Sequence, residues 1–425
     1  MKSFSSEEGS GGASIAAMAL VLAAVPIIKG SPRTALWAAP AILVAAMMIA
    51  WAAESAQFFI PQGFALAILA WLQTFPEFAV EFVFAWRQQV PLLMANLTGS
   101  LRLLTGLGWP MIYFVAAFCC RRTHGRPLRS IKLDDHHCVE VVGLFVPLVY
   151  AALIWWKGAL TLVDAAVLIA MYVAYLMVLR RMPPEEAEGI EDLELIPRSI
   201  VQAPRRIRIA VITGLFVAGG ALIYYSAEPF AGGLLAISAA LGVPAFVFVQ
   251  WVAPFVSEFP EKVSAFYWAR TVQKAPMALM NMVSSNINQW TLLAAMLPIV
   301  FSVSRGTPSA IVFDQQQSLE LLMTIAQSLV GMLFLVNMEL AWWEAATLFS
   351  LWGIQFALSP VHRGPGFWGF LAGHIHWYVT VAYLVWVGLG VVRMVMGQRE
   401  PSAFRLFAVM WRRHVRKAPA PPAAE

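Results

Sequence analysis

Residues 257–266 read SEFPEKVSAF, and residues 279–290 read LMNMVSSNINQW. The same pattern stands earlier in the chain, as TFPEFAVEF over 74–82 and MANLTGS over 94–100. Each copy sets a Pro-Glu pair in the middle of an apolar run. The next apolar run then carries Asn, three residues and Ser. Glu77 precedes Asn96 by 19 residues and Glu261 precedes Asn281 by 20, so the two halves keep nearly one register. A carboxylate deep in a hydrophobic span is costly and marks function. Two of them at matching points of an internal repeat sharpen that reading.

The chemistry of the repeated stretch suits a cation. Pro76 and Pro260 cannot donate a backbone hydrogen bond and clash with the carbonyl one turn earlier. The spans should therefore break there and free the carbonyls of Leu72 and Val256. Broken helices near the membrane midplane are how secondary transporters hold ions. Carbonyl, hydroxyl, amide and carboxylate oxygens together fit a hard cation such as Ca2+, or Na+. The plainer alternative is a proline kink whose glutamate packs against a polar neighbour.

Composition fixes the environment. The chain is 60% hydrophobic and 12% charged, with a mean hydropathy of +0.70. That describes a polytopic membrane protein rather than a soluble domain. Backbone groups in lipid must be satisfied internally, so the class is all-α. Three cysteines make no disulfide framework, and the net charge of +5 sits in loops and tail, with no soluble basic domain for nucleic acid.

Twelve spans are expected. Residues 1–33 hold a polar, disordered start and one extra span, about 13–28. Repeat one occupies 34–182, with spans near 34–56, 60–86, 90–120, 139–157 and 159–180. A linker covers 183–207. Repeat two occupies 208–360, with spans near 208–228, 243–270, 275–304, 318–337 and 340–358. An extra final span near 366–395 falls in 361–397, and 398–425 is a basic tail. Asp164 matches Glu344 in the last span of each half, and Glu54 matches Glu228 in the first. Five spans per repeat is an odd number, so the second repeat is inverted relative to the first. Five Lys/Arg in 121–138 and six in 180–208 place these loops and both termini in the cytoplasm.

The two copies resemble the α-repeats of the calcium/cation antiporter superfamily, the sodium/calcium exchanger-like proteins. Members carry a Pro-Glu helix and then an Asn-x-x-Gly-Ser-Asn helix in each half. The resemblance implies an ion site lined by Glu77, Thr74, Asn96 and Ser100 from one half. Glu261, Ser257, Asn281 and Ser285 would come from the other. It implies alternating-access exchange of an inorganic cation, Ca2+, against H+ or Na+, in a lipid bilayer and with no cofactor. The sequence departs from the pattern in places. Gln73-Thr74 and Ser257-Glu258 stand for the usual Thr-Ser, and Ser284 replaces glycine. Leu101 replaces the Asn after Ser100, and Leu104 stands where a ligand Asn or Asp is expected. Gln289 takes that place in the second copy and joins the site.

Extra acids point to protons as the coupling ion. Glu258 lies three residues before Glu261, and Glu81 four after Glu77, offsets that bring side chains to one helix face. Carboxylates crowded in a low-dielectric site cannot all ionise easily. One is expected to hold a proton that an arriving cation displaces. Lys262, adjacent to Glu261, is expected on a different face. Arg102, two residues from both Ser100 and Leu104, is expected to face away from them in a structural ion pair.

Other motifs point to less. Asp135-His136-His137-Cys138 matches the signature of membrane palmitoyltransferases, but only Cys119 and Cys120 accompany it, too few for the paired zinc sites of such an enzyme. The loop reads as solvated, with a metal-attracting role as the alternative. His374 and His376 point to different faces of a helix, which argues against a shared metal. The stretch 403–415 mixes Phe, Trp and Arg like an interfacial helix. A non-transporting scaffold or sensor with the exchanger fold is the rival from another class.

Overall fold

The computed structural model describes residues 31–59, 74–182, 193, 195–361, 364 and 366–416. The expected first span at 13–28, residues 60–73 of the expected second span with Leu72 and Gln73, and residues 183–192 and 194 of the linker lie outside the described residues. Repeat one comprises α1 (Pro32–Ala56), α2 (Phe75–Trp86), α3 (Val90–His124), α4 (Cys138–Lys157) and α5 (Leu162–Leu179). The linker contributes α6 (Leu195–Gln202). Repeat two comprises α7 (Arg205–Leu241), α8 (Ala245–Ser257), α9 (Phe259–Ala269), α10 (Val272–Arg305), α11 (Gln315–Leu335) and α12 (Trp342–Leu358). After the repeats come α13 (Phe367–Val395) and α14 (Ser402–Met410). Among the described residues, 8 helices are long and apolar enough to cross a membrane. Among the described residues, the apolar helices around the Pro-Glu motifs, Phe75–Trp86, Ala245–Ser257 and Phe259–Ala269, are shorter.

The prolines act as starts. Pro76 and Pro260 sit in the first turn of α2 and α9, where the missing N–H costs nothing. Glu258 occupies the break between α8 and α9 with φ −96° and ψ 6°. Glu77 and Glu261 thus lie in the first turn of a half-helix, where the helix dipole favours a negative group.

One expected boundary was too short. The first span of repeat two, expected over 208–228, runs on to Leu241 as a helix of 37 residues, about 55 Å long. Pro229 lies inside it without ending it, and Gly242, at φ 66°, is the residue that does. Left-handed backbone is glycine's province, so this is a normal helix stop. The long α7 packs along α1 through small residues. A Cβ on Gly219 would stand 3.1 Å from the Ala45 carbonyl oxygen, and one on Gly233 would stand 2.9 Å from the Ala35 nitrogen. Such small-residue seams let membrane helices approach closely.

Inversion of the repeats is visible in the loops. Strand β1 (Ser130–Lys132), between α3 and α4, pairs with β4 (Glu339–Ala341), between α11 and α12. Strand β2 (Ala159–Leu160), between α4 and α5, pairs with β3 (Ile311–Val312), between α10 and α11. Each ladder joins a loop of one repeat to the non-equivalent loop of the other. Two repeats of the same orientation could not make both pairings.

The matched acids of the outer spans explain themselves. Asp164 caps α5 by accepting from the Thr161 backbone N–H at 2.7 Å, and Glu344 caps α12 by accepting from that of Ala341 at 2.8 Å. Lys157 pairs with Asp164, and Arg399 pairs with Glu344 at 2.6 Å. Glu54 accepts from Ser264 on α9 at 2.8 Å, and Glu228 pairs with Arg87 at the end of α2. The first-span acids therefore tie each repeat to the motif helix of the other.

Candidate ion site

The site forms where the half-helices α2 and α9 meet the middles of α3 and α10. At its centre one amide joins the repeats. Gln289 Nε2 donates to Glu77 Oε2 at 2.6 Å and to Glu258 Oε1 at 3.1 Å. The cross-repeat pair of carboxylates on one donor is thus Glu77 with Glu258. Glu81 and Glu261 also lie within electrostatic reach of Glu77. All four carboxylates are buried.

The remaining expected residues distribute around this centre. Ser100 neighbours the carboxylates of Glu77 and Glu258, and Ser285 neighbours Glu261. Each Pro-Glu acid thereby has the serine of its own repeat beside it. Asn96 Nδ2 donates to Glu81 Oε1 at 3.0 Å rather than to Glu77. Thr74 Oγ1 accepts from Asn288 Nδ2 at 2.5 Å. Ser257 spends its proton on the Ala253 carbonyl at 3.0 Å, which leaves its oxygen only as an acceptor. Asn281 is buried on α10, one turn before Ser285.

Several buried oxygens here accept no hydrogen bond from the protein. They are Glu77 Oε1, Glu81 Oε2, both oxygens of Glu261, Asn96 Oδ1, Ser100 Oγ, Ser285 Oγ, Asn288 Oδ1 and Gln289 Oε1. A buried acceptor left unsatisfied costs about 1–3 kcal/mol. A concentration of carboxylate, amide and hydroxyl oxygens in one place is the donor set of a hard cation.

Two features depart from the sequence reading. Lys262 was expected on a different face, but its Nζ reaches Glu258 Oε2 at 2.5 Å with the lysine side chain nearly buried. The i to i+4 spacing explains it, because the reference acid is Glu258 rather than Glu261. Asn288 was not anticipated. It follows Asn281 by seven residues and Ser285 by three, so the helical stripe through those two already pointed to it.

Glycine is required at one point of the motif. A Cβ on Gly99 would lie 2.0 Å from the backbone oxygen of Gln250, so α3 and α8 touch backbone to backbone beside Ser100. Leu101 and Leu104, which replace polar residues of the family pattern, are fully buried in the apolar core. Beyond the serine, both α3 and α10 pass through a single π-helical turn, Leu104–Gly108 and Gln289–Leu293. Such turns are frequent at functional sites, and here one of them aims Gln289.

A second polar cluster lies on the far side of α3. Arg102 Nη1 pairs with Glu320 Oε2 on α11 at 2.8 Å, with the two side chains 0% and 1% exposed. Glu320 also accepts from Gln250 Nε2 at 2.9 Å and pairs with His376 of α13. The Arg102 guanidinium lies 5.5 Å from the Trp251 ring centroid. The ion pair expected for Arg102 is present, and His376 enters it from outside the repeats. His374 instead faces the Phe370 carbonyl at 2.9 Å. The two histidines diverge as their spacing required.

The Asp-His-His-Cys tetrapeptide does not present a nucleophile. Cys138 is completely buried at the start of α4, whereas reactive thiolates sit in partly exposed, electropositive surroundings.

Comparisons with known proteins agree with this fold. The profile of the sodium/calcium exchanger protein family matches residues 31–180 and 211–359. No curated protein matches the chain. The fold is similar to the crystal structure of the H+/Ca2+ exchanger CAX, with a TM-score of 0.77 and 29% identity. That match covers 93% of this chain and 98% of that one. It is also similar to native YfkE, at TM-score 0.58 and 16% identity over 81% and 97% of the two chains. The sodium-calcium exchanger NCX_Mj gives 0.52 and 17% over 76% and 96%. With both halves matched and the Pro-Glu helices converging on one oxygen-rich centre, the chain belongs to the sodium/calcium exchanger protein family.

Proposed function

We propose that the protein exchanges Ca2+ for protons by alternating access. The carrying observation is the meeting of Glu77 and Glu258 on one Gln289 amide, among buried oxygens that have no protein donor. Ionised, these carboxylates with Glu261 would bind a divalent cation. When the cation leaves, protons neutralise them, since clustered carboxylates in a low-dielectric site do not all ionise. Lys262 holds one oxygen of Glu258 and offsets part of the negative charge. Likeness to the H+/Ca2+ exchanger CAX, close to full length in both chains, supports protons over Na+.

The test is the pH inside sodium-free vesicles that hold the purified protein. Ca2+ added outside is expected to enter and drive protons out, so the interior turns alkaline. Protons compete for the same oxygens, so the half-saturating Ca2+ concentration is expected to rise as pH falls. Exchange that requires Na+ and ignores a pH gradient would replace the proton with Na+. Absence of flux for every cation would favour the non-transporting scaffold.

We further propose that both termini and the loop 121–138 face the cytoplasm, on the lysine and arginine distribution. Cys138 is buried and cannot report this. Cysteines introduced at the exposed Arg126 and Thr307 can. An impermeant thiol reagent applied to intact cells is expected to label position 307 and spare 126; the reverse pattern would invert the topology.

A further inference from the structure

The loop that leads into α4 carries three clustered metal-binding side chains that the exchange site does not use. Asp134 has extended backbone, and Asp135–His137 form one 3-10 turn, closed by the His137 N–H on the Asp134 carbonyl at 3.0 Å. The ligand atoms of Asp134, His136 and His137 all lie within 4.8 Å of one another. Ligands on one zinc-sized ion, at bond lengths near 2.0–2.1 Å, stand no more than about 4.2 Å apart. Binding therefore has to draw the three groups together by about 0.6 Å. A further carboxylate, in the first turn of α4, stands beside His137. Glu140 is 2% exposed, its Oε2 accepts no hydrogen bond, and that oxygen lies 3.9 Å from His137 Nδ1.

We infer that Asp134, His136 and His137 form a binding site for a divalent transition metal of the Zn2+ or Co2+ class, with Glu140 orienting the His137 ring from behind. Two imidazoles and a carboxylate suit that class, whereas Ca2+ takes oxygen ligands alone. The site is therefore chemically separate from the exchange centre. Its scaffold is already fixed. The Leu133 N–H donates to the Met338 carbonyl at 2.9 Å, next to the β1–β4 ladder. Helix α14 packs against the 135–137 turn from the tail side. Asp134 is exposed and His136 half-exposed, which gives an ion its way in. A bound metal would pin the tail helix, the loop and the start of α4 to one point.

The test is titration of the full-length, metal-stripped protein in detergent with Co2+, followed by visible absorption and calorimetry. One Co2+ is expected to bind with the d–d bands of a nitrogen-ligated ion. His136→Asn and Asp134→Asn alter residues outside the core, so native elution and thermal unfolding can be checked for each. Each is expected to weaken binding at least about tenfold, and Glu140→Gln to weaken it as well. Glu77→Gln is expected to leave the bands in place. Wild-type protein without d–d bands, bands indifferent to His136→Asn, or bands lost in Glu77→Gln would each overturn the assignment.

Discussion

Calcium exchange is expected to collapse in Glu77→Gln, with protein yield and elution unchanged, and in Glu258→Gln, with some loss of stability because Lys262 loses its carboxylate partner. Glutamine keeps the volume and can still meet the Gln289 amide by turning its carbonyl toward it. It lacks the charge. Removing one partner of a buried charge interaction costs about 2–5 kcal/mol, which is roughly thirtyfold to several thousandfold in affinity. The measurement is Ca2+ uptake into vesicles against concentration, beside thermal unfolding of the same preparations. Asp164→Asn and Glu344→Gln are the informative controls. These acids are also buried and also matched between repeats, but they cap helices, so their loss is expected to cost about 1 kcal/mol of stability for the cap, more where Arg399 loses its partner, and to spare exchange. Exchange that survives in Glu77→Gln, or fails equally in the caps, would dissolve the proposed site.

Arg102→Met is expected to be the most destabilising single change in the membrane interior. It leaves Glu320 with His376 and Gln250 in place of a guanidinium, at a point where neither member of the ion pair is exposed. Breaking a buried pair by removing one partner costs about 3–5 kcal/mol, whereas replacing both partners with apolar groups can be neutral. The double variant Arg102→Met/Glu320→Met is therefore expected to unfold at a higher temperature than Arg102→Met alone. Thermal unfolding in one detergent, compared across the set, checks the order. A double variant weaker than Arg102→Met would mean that the two residues act separately.

Much of this was legible in the chain because membrane physics is strict. Lipid forces helices, and it makes every buried acid conspicuous. Glu77, Glu261, Asn96 and Ser285 stood out in apolar runs at repeated spacing, so their region could be located without coordinates. Partnership was less legible. Nothing in local spacing tells that Gln289 reaches Glu77, 212 residues away in the chain, or that His376 crosses to Glu320 from a helix outside the repeats. Those contacts depend on how helices cross, which periodicity does not encode. Lys262 was misplaced for a simpler reason: its face was judged against its neighbour Glu261 and not against Glu258, one helical turn away. The end of α7 was set too early, one residue before Pro229, and the helix continues through that proline to Leu241. Within a membrane bundle, proline is tolerated inside helices.

The paired π turns carry a consequence for the history of the chain. A π turn holds one more residue than the α-helical turn it replaces, so each marks a single-residue insertion. Leu104 follows Asn96 by eight residues, and Gln289 follows Asn281 by eight. Two independent insertions at the same offset are less economical than one. One insertion in a half-length precursor, copied by duplication, is the simplest account of two π turns at the same offset. The connection between Glu261 and Asn281 is one residue longer than that between Glu77 and Asn96, so the two halves differ in the turn before the helix and agree in the offset of the π turn within it.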